Sequence, residues 1–448
     1  MAEIAKRESL GREELESLVR LALDEARSLG VDQAEVAASQ DTGLSATARL
    51  GDVENLEFTN DRGIGITVYK DQCKGNASTS DISDAAIREA VAKAYSFAKL
   101  TAEDPHSGLA DADKMATELL DLDLDHPWDI DANKAIALAI ECENAAMTFD
   151  KRISNSEGAT VGTNRGARAY GNTHGFMGSY AKSSHSVSCV VLAEEDGFMQ
   201  RDYEYTSSRV PSDLEDLASV GIKAAKKTIK RLGARKIKTR NAPVLFVPEL
   251  ARGFIGHAIG AISGGAQYRR SSFLLDAIGQ TIFPDFVQIQ ERPHILRGMA
   301  SRSYDGEGVA TYDRDIVTDG VLQSYVLSSY SARRLGLETT ANAGGTQNLL
   351  VPGSDTDLSR LIADMGTGLI VEELIGQGVN SVTGDYSRGV VGHWVENGEI
   401  QFPVHEVTIA GNLLDLYQRI AAIGNDQDLR SSMRCGSLLV EEMTIAGA

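Results

Sequence analysis

GDYSRGVVGHWVENGEIQFPVHEVTIAGNL, residues 384–413, states the fold most clearly in this 448-residue chain. Asn397-Gly398 separates VVGHWVE from EIQFPVHEV, two runs that alternate apolar and polar side chains. An Asn-Gly pair so placed reads as the two-residue turn of a β-hairpin, because both residues tolerate the left-handed conformation the turn needs. Asp319-Gly320 repeats the signal upstream, between YDRDIVT and VLQSYVL. Short helices are expected at 329–335, 357–365 and 412–423, and the apolar run VLFV leads into a helix over 249–265. The second half is therefore read as predominantly antiparallel β with short helices.

Working backward, RKIKTRN (235–241) is a short basic connector ahead of VLFV. It divides the chain into two expected domains, 1–236 and 237–448, the first subdividing near 110–130. Before it, a helix is expected over 12–30, with Leu15, Leu18, Leu21 and Leu29 on one face and Gly30 as its stop. Three strands follow at 44–50, 53–58 and 64–69, with turns at Gly51-Asp52 and at Asn60-Asp61-Arg62-Gly63. Further helices are read at 82–100, capped by Ser80 or Asp81, at 132–149 and at 213–232. The Ser-, Gly- and Thr-rich stretch 151–209 alternates like antiparallel strands with polar outer faces. DLDLDHPWDID (121–131) begins like a calcium loop but has His126 at its sixth position and Ala132 at its twelfth, so it reads as a solvated linker. The class is α+β, two domains, N-terminal helices with antiparallel sheets before a β-rich C-terminal domain.

Composition excludes several functions. The net charge of −20, spread along the chain, repels a phosphate backbone, so no direct nucleic-acid contact is expected. MAEIAKRESLGREELESLVR mixes charges where a leader needs an apolar core, and no run approaches a membrane span, which makes a cytoplasmic location the expectation. Cys73, Cys142, Cys189 and Cys435 are far apart in sequence and form no CxxC pair.

The remaining chemistry centres on ELARGFIGHAIGAISGG (249–265). A catalytic zinc needs three protein ligands, and a helical site supplies two His on one face. His257 has Gly253 four residues before it and Ala261 four after, so this helix offers one imidazole and Glu249 two turns away. There is no GxSxG elbow and no phosphate-binding loop; His174 and His185 lie near Ser179, Ser183 and Ser184 only because that segment is rich in serine. In GDYSRG, Tyr386 and Arg388 sit between glycines, where a loop could direct a guanidinium at a peptide carbonyl or carboxylate; a plain hairpin loop with a paired Arg is the equal alternative.

Three long segments, DGEGVATYDRDIVTDGVLQSYVLSSYSARRLG (305–336), the opening stretch and RCGSLLVEEMTIAG (434–447), resemble the TldD/PmbA family, also called modulator of DNA gyrase. The likeness runs through nearly the whole chain and is strongest to its PmbA branch, known as TldE. It implies a cytoplasmic heterodimer with a TldD-like subunit, acting as a zinc metallopeptidase on unfolded or small peptides such as peptide-antibiotic precursors and antitoxins. The TldD branch carries H-E-x-x-x-H on the corresponding helix and a third ligand in a cysteine near the C-terminus. Carried across, those helix positions fall on Gly256, His257 and Ala261, and only Cys435 is retained. The resemblance thus implies no cofactor in this chain, with zinc in the TldD-like partner, and a substrate cleft for which Tyr386 and Arg388 are candidates. Two alternatives stay open: a self-sufficient metallopeptidase in which His257 and Cys435 recruit Glu249 or Glu406, and a non-enzymatic modulator that binds DNA gyrase or toxin–antitoxin proteins. A homodimer without the partner is open as well.

Overall fold

The computed structural model describes residues 11–447. The first ten residues, which belong to the stretch read as lacking a leader, lie outside that range. The first half runs α1 (Arg12–Ser28), β1 (Gln33–Arg49), β2 (Asp52–Lys70), β3 (Cys73–Thr79) and α2 (Asp84–Ala98), and then α3 (Ala132–Met147), β4 (Ile153–Asn172), β5 (Met177–Glu195), β6 (Phe198–Ser208) and α4 (Leu217–Lys230). One helix–three strands–helix unit thus occurs twice. The six strands form one antiparallel sheet in the order β3-β2-β1-β4-β5-β6, mirrored about the central β1–β4 pair. Neither the duplication nor the unusual strand length was legible in local sequence.

Alternation along β1 explains how one sheet carries two cores. Ala34, Val36 and Ala38 are buried beside Leu15, Val19 and Leu23 of α1 and Ile87 of α2. Leu44, Ala46 and Ala48, on the same face farther along, are buried beside Ala135 and Ala139 of α3 and Val220 of α4. A one-residue slip would turn both sets away from the helices. On α1 the fully buried stripe is Leu15, Val19, Ala22, Leu23 and Ala26, leaving Leu18, Leu21 and Leu29 on its flank.

Several expectations are corrected. Asn60 to Gly63 form no turn but pair with Thr42 to Ser39 inside β2, because the unbroken neighbour β1 satisfies their backbone. Helix α2 is capped by Ser83, and α4 by Asp216 instead of Asp213, which lies in a separate 3₁₀ turn. The acidic stretch is a docked strap: the Leu124 carbonyl accepts from Ser183 N–H at 2.9 Å, Asp125 pairs with Arg165 at 2.7 Å, and Asp123 with Arg297 at 2.5 Å. Cys142 and Cys189 meet in the core, where each thiol is fully buried.

The second half runs β7 (Arg240–Phe246), α5 (Pro248–Ala261), α6 (Gly264–Tyr268), β8 (Ile289–Glu291), β9 (Arg314–Thr318), β10 (Val321–Leu322), α7 (Ser329–Leu335), β11 (Leu349–Val351) and α8 (Leu358–Met365). It continues with β12 (Gly368–Ile375), β13 (Asp385–Glu396), β14 (Glu399–Asn412), α9 (Leu413–Gln418), β15 (Ile420–Ile423), β16 (Met433–Cys435) and β17 (Leu438–Ala446). Strands β7, β12, β13, β14 and β17 close into a ring, since β14 pairs with β17 as well as with β13. A smaller sheet, β10-β9-β8-β11-β16, lies beside it. Both expected hairpin turns form with two left-handed residues, Asn397 (φ 55°) with Gly398 (φ 76°) and Asp319 (φ 49°) with Gly320 (φ 74°). The helix expected over 412–423 stops at Gln418, since Ile420–Ile423 pairs with β17 instead.

The basic connector also finds partners: Arg235 stacks on Phe402 at 4.9 Å, Arg240 on Trp394 at 4.9 Å, and Lys236 pairs with Glu406 at 2.6 Å. An ion pair then joins the halves, Arg430 reaching Glu204 at 2.7 Å while it also holds Glu249 of its own half at 2.7 Å. Buried His393 of β13 makes a second clasp, its Nδ1 3.0 Å from Glu372 and its Nε2 3.1 Å from the Lys230 carbonyl that ends α4. Both neighbours are acceptors, so only the imidazolium donates to both.

Two outcomes follow from this packing. Glu143, fully buried on α3, accepts the N–H groups of Leu50 and Gly51 at 2.9 and 3.0 Å and so fixes the β1–β2 turn. Glu143→Ala should cost about 2–3 kcal/mol in urea denaturation, the scale of hydrogen bonds to a charged acceptor left unmade; a cost near zero would contradict this role. Burial alone would lower the His393 pKa, but the hydrogen bond and charge of Glu372 outweigh it and raise it. Its stabilising contribution should be complete below about pH 6.5, the ordinary histidine value, and fade as pH rises through the raised one. Unfolding measured from pH 6 to 9 should show that decline, and His393→Gln should flatten it.

Candidate functional site

Helix α5 follows β7 directly, opened by Pro248 at its first turn. Its buried side is Ala251, Phe254, Ile255, Ala258 and Ala261. Its other side carries Gly253, Gly256 and Gly260, where an added Cβ would meet nothing within 4 Å. These glycines are not required by close packing. They leave helix backbone uncovered, with His257 among them.

Strand β13 brings Tyr386 and Arg388 to this helix. Both belong to the strand, not to the loop expected from GDYSRG, and as residues two apart they share one face. The Tyr386 ring meets His257 edge-on at 6.0 Å and Phe254 at 5.9 Å. Tyr386 is buried, its hydroxyl has no hydrogen-bond partner among the described residues, and burial pushes its pKa up to about 12. Half-buried His257 is held toward the neutral form, first by burial and then by the Arg388 charge. Arg388 makes one long hydrogen bond, to the Ile375 carbonyl at 3.4 Å. Its guanidinium has no carboxylate partner among the described residues, so the paired-Arg alternative is not what forms.

Beneath them lies an aromatic cluster that the sequence did not announce. Tyr417 donates its hydroxyl to the Phe254 carbonyl at 3.0 Å, and its ring meets Phe254 at 5.2 Å and Phe283 at 4.8 Å. These residues are far apart in the chain, so no local spacing could reveal them.

The residues considered as metal ligands do not converge. Cys435 ends β16 fully buried in the cluster that also covers Phe254 and Ile255, its sulfur 3.3 Å from the Gly436 carbonyl. Burial, helped by the Asp426 charge, pushes its thiol up to about 12. Glu249 is engaged by Arg430, and Glu406 is at the surface with Lys236. Gly256 and Ala261 have no donor side chain. Among the described residues no three His, Cys, Asp or Glu side chains gather as a metal would require. A resident zinc therefore does not fit this helix in the arrangement seen.

The serine-rich segment holds no catalytic set either. His185 is buried between Thr163 Oγ1 and the His126 carbonyl, 2.8 Å from each, and Ser183 donates to the Arg209 carbonyl at 2.8 Å. Among the described residues, no helix is long and apolar enough to cross a membrane.

Comparison with known proteins agrees with this architecture along the chain. Residues 34–98, 125–232 and 239–447 match, in order, domain 1, the central domain and the C-terminal domain of the PmbA/TldA metallopeptidases. The Escherichia coli O157:H7 protein named metalloprotease PmbA is 49% identical over 436 residues, 97% of either chain. A crystal structure from Bacteroides thetaiotaomicron, described as a putative modulator of DNA gyrase, superposes with a TM-score of 0.93 at 27% identity, covering 98% of this chain and 100% of that one. TldE from Thermococcus kodakarensis shares the fold, with a TM-score of 0.81 at 19% identity over 98% of this chain and 100% of that one. With three consecutive domain matches and near-complete coverage by a relative of such identity, the chain belongs to the PmbA/TldD metallopeptidase family.

Proposed function

We propose that this chain is the metal-free subunit of a two-chain peptidase, which works in the cytoplasm on unfolded or small peptides, with a TldD-like subunit as its partner. The carrying observation is the donor set of α5: one imidazole, turned against Tyr386, among glycines, with the helix's one carboxylate, Glu249, bound by Arg430. In the partner, zinc would polarise the scissile carbonyl and lower the pKa of its bound water. This chain contributes the walls. The uncovered backbone at Gly253, Gly256 and Gly260 admits an extended peptide close to α5, and Arg388 supplies a cation for a peptide carbonyl or carboxylate. The edge of β2 from Asp52 to Gly63 has no second strand among the described residues, so main-chain pairing is available there too.

A second reading, hydrolysis by this chain unaided, draws on the name metalloprotease carried by its relatives. Peptide hydrolysis by the chain alone, by a TldD-like protein alone and by their mixture separates the two. Activity confined to the mixture, abolished by a chelator, with zinc bound to the partner only, is the expected result. Chelator-sensitive turnover by the isolated chain, with stoichiometric zinc, would overturn the division of labour.

Thiol labelling probes the same reading. In native protein near pH 8, iodoacetamide should modify half-buried Cys73 and leave Cys142, Cys189 and Cys435 until denaturation. Rapid labelling of Cys435, mapped by peptide mass, would show a thiolate open to solvent and to metal.

A further inference from the structure

The face of the first-half sheet opposite its helices is unlike an ordinary sheet surface. Where β1, β4 and β5 run side by side it presents Ser39, Gly43, Ser45 and Thr47, then Gly162 and Asn164, then Ser184 and Ser186. These side chains are small and none is charged. Within this field one charged group stands out. Lys182 on β5 lies directly across from Gly166 on β4, which lies across from Asp41 on β1. Arg168, two residues along β4 on the same face, lies between Ser39 and Tyr180. Diagonal neighbours of this kind stand about 7–8 Å apart, within reach of one shared anion for long cationic side chains.

A third cation comes from the other half. Arg302 belongs to the segment that places Tyr304 against Gly178 and beside Tyr180, with ring centroids 6.1 Å apart. Lys182 is partly buried, and after that burial the charges of Arg168, Arg209 and Arg302 act to lower its pKa, against Asp41 alone. Arg209 is already satisfied: its guanidinium donates to the carbonyls of Gly298, Ser183 and Met299 at 3.0, 2.9 and 2.7 Å. The other cations are not. Arg168 approaches Asp41 only to 4.0 Å, while Lys182 and Arg302 make no ion pair or side-chain hydrogen bond among the described residues. Beside them the buried hydroxyl of Tyr304 is also without a partner. In a chain with 64 acidic and 44 basic side chains, cations could readily have been given carboxylates. Here Arg168 and Lys182 are diagonal neighbours on adjacent strands, the charge of Arg302 reaches Lys182 from the other half, and the one carboxylate among them, Asp41, lies over Gly166, where an added Cβ would stand 2.3 Å from its Oδ1.

We propose that Arg168, Lys182 and Arg302 form a binding site for a peptide carboxylate, which anchors an extended chain lying over the polar sheet face. Guanidinium groups match a carboxylate in two-point geometry, and the ammonium adds charge. The surrounding Ser and Gly side chains let a backbone of any sequence lie close, so the carboxylate fixes position while the rest is read loosely. The site takes either the terminal α-carboxylate or an Asp or Glu side chain. It rests on the reading that this chain handles peptides and names the feature by which it would hold them.

The test uses the full chain and a fluorescently labelled unstructured peptide in four forms: C-terminally amidated and neutral, free at the C-terminus, amidated with one Glu, and amidated with Gln in its place. Anisotropy at low salt should show the free-terminus form, the Glu form or both binding about ten-fold more tightly than the neutral amidated form, and whichever is preferred identifies the source. Lys182→Gln and Arg302→Gln should each remove most of that ratio. Arg168→Gln, at a half-exposed position suited to leaving the fold intact, should do the same, and circular dichroism checks all three. Equal binding of the four forms, or a preference that persists in the Arg168→Gln and Lys182→Gln variants, would overturn the site, as would binding of inorganic phosphate without any carboxylate preference. If the complex with a TldD-like subunit cleaves peptides without that preference, only this site falls; if no peptide is bound or cleaved at all, both this site and the peptidase reading fall.

Discussion

The antiparallel pairing of β1 with β4 is the constraint on which the rest depends. It joins two helix–three strands–helix units edge to edge, with a register running from Glu35 opposite Asn172 to Ala48 opposite Ala159. Since alternate residues face opposite sides, that one register directs Val36, Leu44, Val161 and their neighbours toward the helices and turns Ser39, Ser45 and Thr47 to the opposite face. The distinction between a hydrophobic layer and a clear working surface is therefore set by a single ladder.

Helix α5 shows a comparable economy in the second half. One of its faces is committed to the core through Phe254, Ile255, Ala258 and Ala261, while the other carries Gly253, Gly256 and Gly260 around the single imidazole of His257. Around that imidazole stand Tyr386 and Arg388 from β13. A cation and a partly buried neutral imidazole can orient a substrate, but without convergent donors they do not hold a metal. The buried thiol of Cys435 fits this account. Gly436 beside it is needed for contact, since a Cβ there would stand 2.0 Å from the Gly424 carbonyl, so part of the RCG motif has a packing explanation independent of chemistry.

Where structure follows from a local rule, the sequence showed it well. Asn397-Gly398 and Asp319-Gly320 specified their hairpins because two adjacent left-handed residues are sterically selective, and the helix at 329–335 was placed to the residue. Local rules failed where a neighbouring strand or helix decided the outcome. Asn60-Asp61-Arg62-Gly63 has the composition of a turn, yet β1 keeps it extended. The duplicated unit was hidden because its copies share patterning and not obvious residues. At the candidate site, the shortage of ligands could be counted from spacing alone, whereas the meeting of His257 with Tyr386 and of Lys182 with Arg168 and Arg302 depends on strand register and on contact between the halves. The DLDLDHPWDID strap was misread as solvated for a similar reason, its partners Arg165, Ser183 and Arg297 all being distant in sequence.

The ring in the second half has a consequence for how the protein is made. Strand β17, the last of the described strands, lies between β7, the first of that half, and β14 and β15, so the ring cannot close until β17 has left the ribosome. The first-half sheet has no such dependence, because its strands all precede residue 209. During synthesis an already pleated platform would thus await a barrel whose first staves remain unmatched, and the interval before closure is when its apolar strands are most exposed to aggregation.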